Sequence, residues 1–267
     1  MAFQCPTGFD VTRLRQNVLA TYDRVAREPE GDFHFHRGPF YAAQYLGYDP
    51  VELDELPLRS TMRFAGVGNP LAIGPIAPGS RVLDHACGAG TDLLLAARRV
   101  GPTGVAIGVD MTPAMRACAE ASAEQAGLGD RVEVHAGFYE DLPIEDASID
   151  VVISNGVVNL APDKHRVLAE IARVLKPGGR LYLADVVVQR ELTLEARSNP
   201  ELWAACIGGA LPERELFALA LELGLHDTRV THRFDCFRDT SAAVKVSRDL
   251  HVEAVNFHAR KPFAALG

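Results

Sequence analysis

Between residues 79 and 190, short β-branched apolar runs alternate with helical patterns, and this beat constrains the fold more than any other feature of the chain. Arg81 to Asp84 reads as a strand, Thr91 to Val100 as a helix and Val105 to Val109 as a second strand. Thr112 is expected to cap the next helix, with Pro113 in its first turn and Gly127 just past its end. Val132 to His135 and Ile149 to Ser154 supply the third and fourth strands. Pro162 to Leu175 reads as a helix stopped by Lys176-Pro177-Gly178-Gly179, and Arg180 to Val188 as the fifth strand. Strands separated by helical connections pair in parallel and are covered on both faces, so the expected class is α/β with a doubly wound open sheet. Two late strands, about Thr228 to Cys236 and Val252 to Lys261, would bring the sheet to seven.

The core is flanked by two cap regions. Residues 1–78 carry a helical stretch near Val11 to Arg27, a loop-rich run from Glu28 to Pro39 and a Gly/Pro-punctuated end at Gly66 to Pro70 and Gly74-Pro75. Residues 191–267 hold a polar insertion expected to be helical around Leu194 to Gly209, a helix over Pro212 to Leu223 ended by Gly224, and the late strands that complete the sheet. Residues 79–190 are therefore expected to form the core, with caps on either side.

A formal charge of −8 over 267 residues argues against sequence-blind binding to nucleic acid or an anionic membrane and favours a small-molecule partner. No stretch approaches the roughly 20 apolar residues of a spanning helix, and the first ten residues do not resemble a signal peptide, so a cytoplasmic location is expected. The five cysteines are odd in number and scattered, which points to reduced thiols rather than a disulfide framework or zinc site.

The chemistry follows the first strand. Val82 to Asp92 runs strand, glycine turn, helix, and Asp110 lies 20 residues beyond Gly90, at the end of the next strand. An acid at that spacing suits the two hydroxyls of a ribose. Leu93 stands where a dinucleotide fingerprint wants its third glycine, and Asp92 in the first helical turn disfavours phosphate. A cationic, amino-acid-tailed adenosine cofactor is the better electrostatic match.

These motifs, with Glu140-Asp141-Leu142-Pro143 and Val174 to Leu181, resemble the successive motifs of class I S-adenosylmethionine-dependent methyltransferases. The resemblance implies a Rossmann-like, seven-stranded sheet and S-adenosyl-L-methionine as cofactor. It implies that Asp84 lies near the cofactor's amino group, that Gly88 and Gly90, with Cys87 in the same turn, admit its methionine part, and that Asp110 takes the ribose and Met111 one adenine face. Phe138 and Tyr139 stand where many relatives carry an Asp for the adenine, so stacking or a backbone contact must substitute there. Asn155 and Gly156 would end the fourth strand where the methyl points. Ala86 replaces the usual glycine and His85 the usual apolar residue, which implies a tighter first turn.

Beyond the core, Gly66 to Pro70, Ser154 to Lys164 and Leu202 to Ala210 are similar to the arsenite methyltransferases. That family is understood to hold trivalent arsenic between thiolates. Here Val67 and Gly156 stand at two of the three matching cysteine positions and only Cys206 remains, so the resemblance implies a divergent relative with another small-molecule acceptor. A protein that binds the cofactor without transferring its methyl is the alternative reading.

Methyl transfer needs proximity, a dry site and sometimes a base. Cys206 would supply a thiolate, or else pack as a small apolar residue. His34 and His36, two apart in an extended stretch, would serve as base or substrate contact, hold a metal with further ligands, or pack in a loop. No metal is assigned. Trp203 and Tyr182 read as packing.

Overall fold

The reversal of strand order at the middle of the sheet fixes where a ligand can enter. The structure, a computed structural model, describes residues 4–199, 202–203, 207–240 and 251–263. Strands β1 (Arg81–His85), β2 (Val105–Asp110), β3 (Val132–Ala136), β4 (Ile149–Asn155), β5 (Leu175–Val188), β7 (His226–Phe234) and β8 (Val252–Arg260) line up in the order β3-β2-β1-β4-β5-β8-β7, with the two-residue β6 (Leu211–Pro212) paired to β5. β1 to β5 are parallel, and β8 runs antiparallel to both β5 and β7. The chain goes outward through β2 and β3, then returns to β4 on the other side of β1, so the switch point lies at the carboxyl ends of β1 and β4.

The pleat sends successive residues to opposite faces, and both faces are buried. Val82, Val151, Tyr182 and Ala254 join one core with Leu93 to Ala97 of helix α5 (Thr91–Val100). Leu83, Val152, Leu181 and Phe257 join the other with Val167, Leu168 and Ile171 of α7 (Lys164–Val174) and Leu216, Leu219 and Ala220 of α9 (Glu213–Glu222). Val255, Phe257 and Ala259 share this second face as the alternation predicted, but Ala254 and Asn256 are buried on the first, so β8 is covered on both sides.

The N-terminal region holds four helices: α1 (Val11–Arg27), capped by the Asp10 carboxylate on Arg13 N–H, then α2 (Gly38–Leu46), α3 (Pro50–Asp54) and α4 (Leu58–Thr61). The sequence reading found only α1. The signs for α2 were present in Pro39 at its start and Gly47 in the left-handed region at its end, but nine residues give too few turns for periodicity to register.

Three expectations need correction. Thr112 precedes α6 (Pro113–Gln125) but makes no side-chain cap bond to it, because its hydroxyl and N–H are both drawn to the Asp110 carboxylate. The helix expected over 162–175 starts at Lys164, capped by Asp163, and β5 begins at Leu175, earlier than the glycines suggested. The Pro-Gly-Gly segment stays in the sheet because Gly178 N–H donates to Lys261 O and Lys261 N–H to Gly179 O, each at 2.9 Å. Of the insertion expected to be helical, Leu194–Arg197 forms a short helix, α8, residues 202–203 are also helical, and residues 207–209 turn.

Immediately after β1, Ala86 holds φ of +61°, a left-handed conformation that costs an alanine roughly 1–2 kcal/mol. Glycine loses that strain and gives back part of the gain as chain entropy. Ala86→Gly should therefore stabilise the fold by about 0.5–1 kcal/mol, read as a higher denaturant midpoint with an unchanged slope.

Candidate functional site

Three strand ends meet at the switch point, and each delivers a polar side chain. Past β1 the chain turns at Gly88 (φ +52°) and Gly90 (φ +88°), with Cys87 N–H on Val109 O at 3.0 Å and Gly90 N–H on Cys87 O at 2.9 Å. At the end of β2 the Asp110 carboxylate accepts from Gly88 N–H at 2.9 Å and from Thr112 N–H at 2.7 Å, which locks acid and turn together. At the end of β4 the Asn155 side-chain oxygen accepts from Val67 N–H at 2.8 Å and Gly68 N–H at 3.2 Å. Its amide nitrogen donates to Gly68 O at 2.9 Å and Asp92 Oδ2 at 3.0 Å, while Tyr48 hydroxyl donates to Asp92 Oδ1 at 2.7 Å.

These groups border a cleft of about 830 Å³ open to solvent, lined by Asp84, Asp92 and Asp110 together with residues from the N-terminal cap. The three carboxylates are nearly sealed from water, at 3%, 7% and 8% exposure. Burial pushes the Asp84 pKa well above the carboxylate range, reinforced by the charges of Asp92 and Asp110. Burial likewise raises Asp92 and Asp110, against the hydrogen bonds that each accepts. Asp84 Oδ2 has no hydrogen-bond partner, an arrangement that costs stability until a donor arrives. The arrangement is built to receive a cation with N–H or O–H donors.

Of the residues singled out from sequence, Asp84, Cys87, Gly88, Asp110, Met111, Tyr139, Asn155 and Gly156 line this cleft. Gly90 does not, because it caps α5 from behind, where an added Cβ would meet Ala119. Phe138 points outward, 48% exposed beneath the Arg15 guanidinium, while its neighbours Gly137 and Tyr139 face in. His34 and His36 lie outside the cleft: His36 packs on Tyr41 and Tyr45 with Nε2 2.5 Å from Arg238 O, and His34 meets Phe35 edge-on beside a separate hollow with Arg24 and Asp32. Cys206 lies outside the described residues. Among the described residues no group of three His, Cys, Asp or Glu side chains is arranged to hold a metal ion.

Several lining residues were not picked out in advance: Val18 and Tyr22 of α1, Arg63 to Gly66, Thr112, Met115 and Leu160. Met115, three residues into α6, had a readable signal in its position one turn past Asp110. The others depend on how the N-terminal helices dock, which no local pattern encodes.

Beneath the turn, His85 is wholly buried, with Nδ1 3.2 Å from Ser154 Oγ and Nε2 3.1 Å from Tyr139 O. Nε2 must carry a proton to donate to the carbonyl, so the ring is neutral with Nδ1 accepting from the serine hydroxyl. Burial lowers its pKa to about 4.

A doubly wound sheet with an acid closing β2 over a glycine turn after β1 is the architecture of class I S-adenosylmethionine-dependent methyltransferases. The chain belongs to this family: residues 76–235 match the family described as methyltransferase domain. It is 37% identical over 222 residues to the arsenite methyltransferase of Halobacterium salinarum, covering 82% of this chain and 56% of that protein. It is 40% identical over 157 residues to the Homo sapiens arsenite methyltransferase, covering 56% of this chain and 42% of that one. Among solved structures, an arsenic(III) S-adenosylmethionine methyltransferase from Chlamydomonas reinhardtii superposes with a TM-score of 0.71 at 34% identity, over 81% of this chain and 73% of that one. The chain spans about half the length of the curated relatives it matches. S-adenosylmethionine is the cofactor of this family, and the three buried carboxylates with the orphaned Asp84 oxygen fit its cationic groups.

The neutral His85 has a consequence for stability. The folded value of about 4 lies below the ordinary 6.5, so the unfolded chain binds more protons between those pH values. Its contribution is complete above pH 6.5 and fades as pH falls towards 4, by about 3 kcal/mol in all. Denaturant unfolding at stepped pH should show the wild type losing this increment relative to His85→Gln, which lacks the titrating group.

Proposed function

We propose that the chain is an S-adenosylmethionine-dependent methyltransferase acting on a small-molecule acceptor other than arsenite. The observation that carries the cofactor site is the convergence of Asp84, Asp92 and Asp110 at the switch point, with one buried carboxylate oxygen left unsatisfied. In this reading the Asp84 oxygen accepts from the methionyl ammonium and Asp110, fixed by Gly88 and Thr112, takes the ribose hydroxyls with its remaining lone pairs. Met111, Met115 and Tyr139 enclose the adenine, and the turn through Cys87 and Gly88 lets the chain's backbone come close. Bound there, the cofactor supplies an electrophilic methyl on a cationic sulfur.

The reading against arsenite rests on what faces the end of β4. A Cβ placed on Gly156 would lie 3.4 Å from Val67 Cγ1, so the two positions that match family cysteines are within van der Waals contact of each other. Valine and glycine offer no soft donor there, and the wall continues with apolar Phe64, Val157 and Leu160. Such a wall suits a small apolar body carrying its nucleophilic atom, held dry against the methyl. No part of the reading uses His34 or His36, which lie outside the cleft, or Cys206.

Two experiments test it. Isotope-labelled methyl from S-adenosylmethionine should enter the deproteinised small-molecule fraction of an extract, and Asp110→Ala should lower incorporation at least tenfold. Label confined to macromolecules, or none despite cofactor binding, overturns the proposal. Separately, the Val67→Cys/Gly156→Cys double variant should bind trivalent arsenic at least tenfold more tightly than the wild type, measured by equilibrium dialysis. Wild-type binding equal to the variant's would return arsenite as the acceptor. Gly156 holds φ of +73°, so the single Val67→Cys is the unstrained control.

A further inference from the structure

The cleft meets cations with three carboxylates, yet the cofactor of the family also carries a carboxylate on its methionine end. Beside Asp84, Asp92 and Asp110 that group would be repelled unless a cation stands within reach. Among the described residues that line the cleft, Arg63 is the one cation.

Its placement is specific. The Arg63 N–H donates to Ser60 O at 3.0 Å, and Ser60 Oγ lies 2.9 Å from Thr91 Oγ1, so the segment carrying Arg63 is tied to the first residue of α5, directly after the glycine turn. Two of its guanidinium nitrogens are anchored, Nε donating to Ala26 O at 2.6 Å and Nη1 to Arg59 O at 3.0 Å. Both partners are neutral carbonyls, and no described carboxylate forms an ion pair with it, so the positive charge stays uncompensated within the protein. Asp92, in the first turn of α5, is engaged by Tyr48 and Asn155. What remains at the mouth of α5 is an anchored guanidinium together with the helix's own positive end.

We propose that Arg63 binds the methionyl carboxylate of S-adenosylmethionine and thereby makes the site selective for nucleosides with an intact amino-acid tail. Asp84 and Arg63 then read the two opposite charges of one zwitterion, from β1 and from the N-terminal cap. The arrangement also ties the cap to the cofactor, because Arg63 reaches the ligand from the segment just after α4 while its Nε holds α1 at Ala26.

The test is binding calorimetry on the purified chain with two ligands, S-adenosylhomocysteine and S-adenosyl-3-thiopropylamine, which differ only in the carboxylate. Arg63→Gln should weaken the first by about tenfold or more and leave the second within about twofold, the size of a charge-assisted contact. Arg63→Lys, which keeps the charge, should retain part of the preference for the carboxylate. Asp110→Ala should weaken both ligands alike, which separates the identity of the site from the share of Arg63 in it. Equal weakening of the two ligands by Arg63→Gln would overturn the proposal and leave Arg63 a structural clamp on Ala26. No change in either, with a raised KM for the methyl acceptor alone, would equally overturn it and move Arg63 to the acceptor.

Discussion

The side-chain amide of Asn155 is the contact on which the rest of the site depends. It sits at the end of β4 and at once holds the backbone of Val67 and Gly68, the carboxylate of Asp92 on α5 and, through Asp92, the hydroxyl of Tyr48 from the N-terminal cap. Three chain segments that are remote in sequence are thus fixed to one strand end. The approach is close enough that only glycine fits at position 66, where a Cβ would overlap the Asn155 amide. Asn256 of β8 repeats the device one step away, accepting from Asn69 N–H at 3.1 Å and donating to Asn69 O at 2.8 Å. Buried amides are used here because each satisfies a loop N–H and a loop C=O together, which a hydroxyl or a charge does less completely.

Fixing the cap in this way allows the protein to hold three carboxylates out of water. Placed together without a cation they disfavour one another, and each is compensated differently: Asp92 by Tyr48 and Asn155, Asp110 by two backbone N–H groups, and Asp84 only in part. The deficit at Asp84 is the local cost of a binding site, and the surrounding packing of α5 against β1 and β2 offsets it. The same logic explains His85. An ionisable ring under the turn is tolerated because it is kept neutral by Ser154 and the Tyr139 carbonyl, and in exchange it joins β1, β4 and the loop after β3 beneath the cleft.

Much of this could be read from the sequence because it depends on local pattern. The five parallel strands, the glycine turn and Asp110 follow from period, punctuation and spacing, each of which acts over fewer than about 30 residues. Cap docking does not. Tyr22 on α1, and Arg63 just after α4, reach the cleft through helices whose apolar faces say that they pack and not against what. Phe138 shows the limit of reading at single-residue resolution: the loop after β3 does line the cleft, but one residue's shift in a turn exchanges Phe138 for Gly137 and Tyr139. His34 and His36 show a related limit, since two imidazoles in extended chain share a face only while the chain stays extended, and here each ring has aromatic neighbours of its own.

The division of labour between core and caps follows from these constraints. The polar groups of the cleft cannot move without disrupting β1, β2 or β4, whereas its apolar wall comes from segments 64–66 and 156–160, which lie outside the strands of the sheet. Exchanging cysteine for valine at 67 and for glycine at 156 leaves Asn155, its two backbone acceptor contacts and all three carboxylates untouched. A polar cleft floor and an apolar wall beside it are thus compatible in one chain, because different residues, under different physical constraints, make the two.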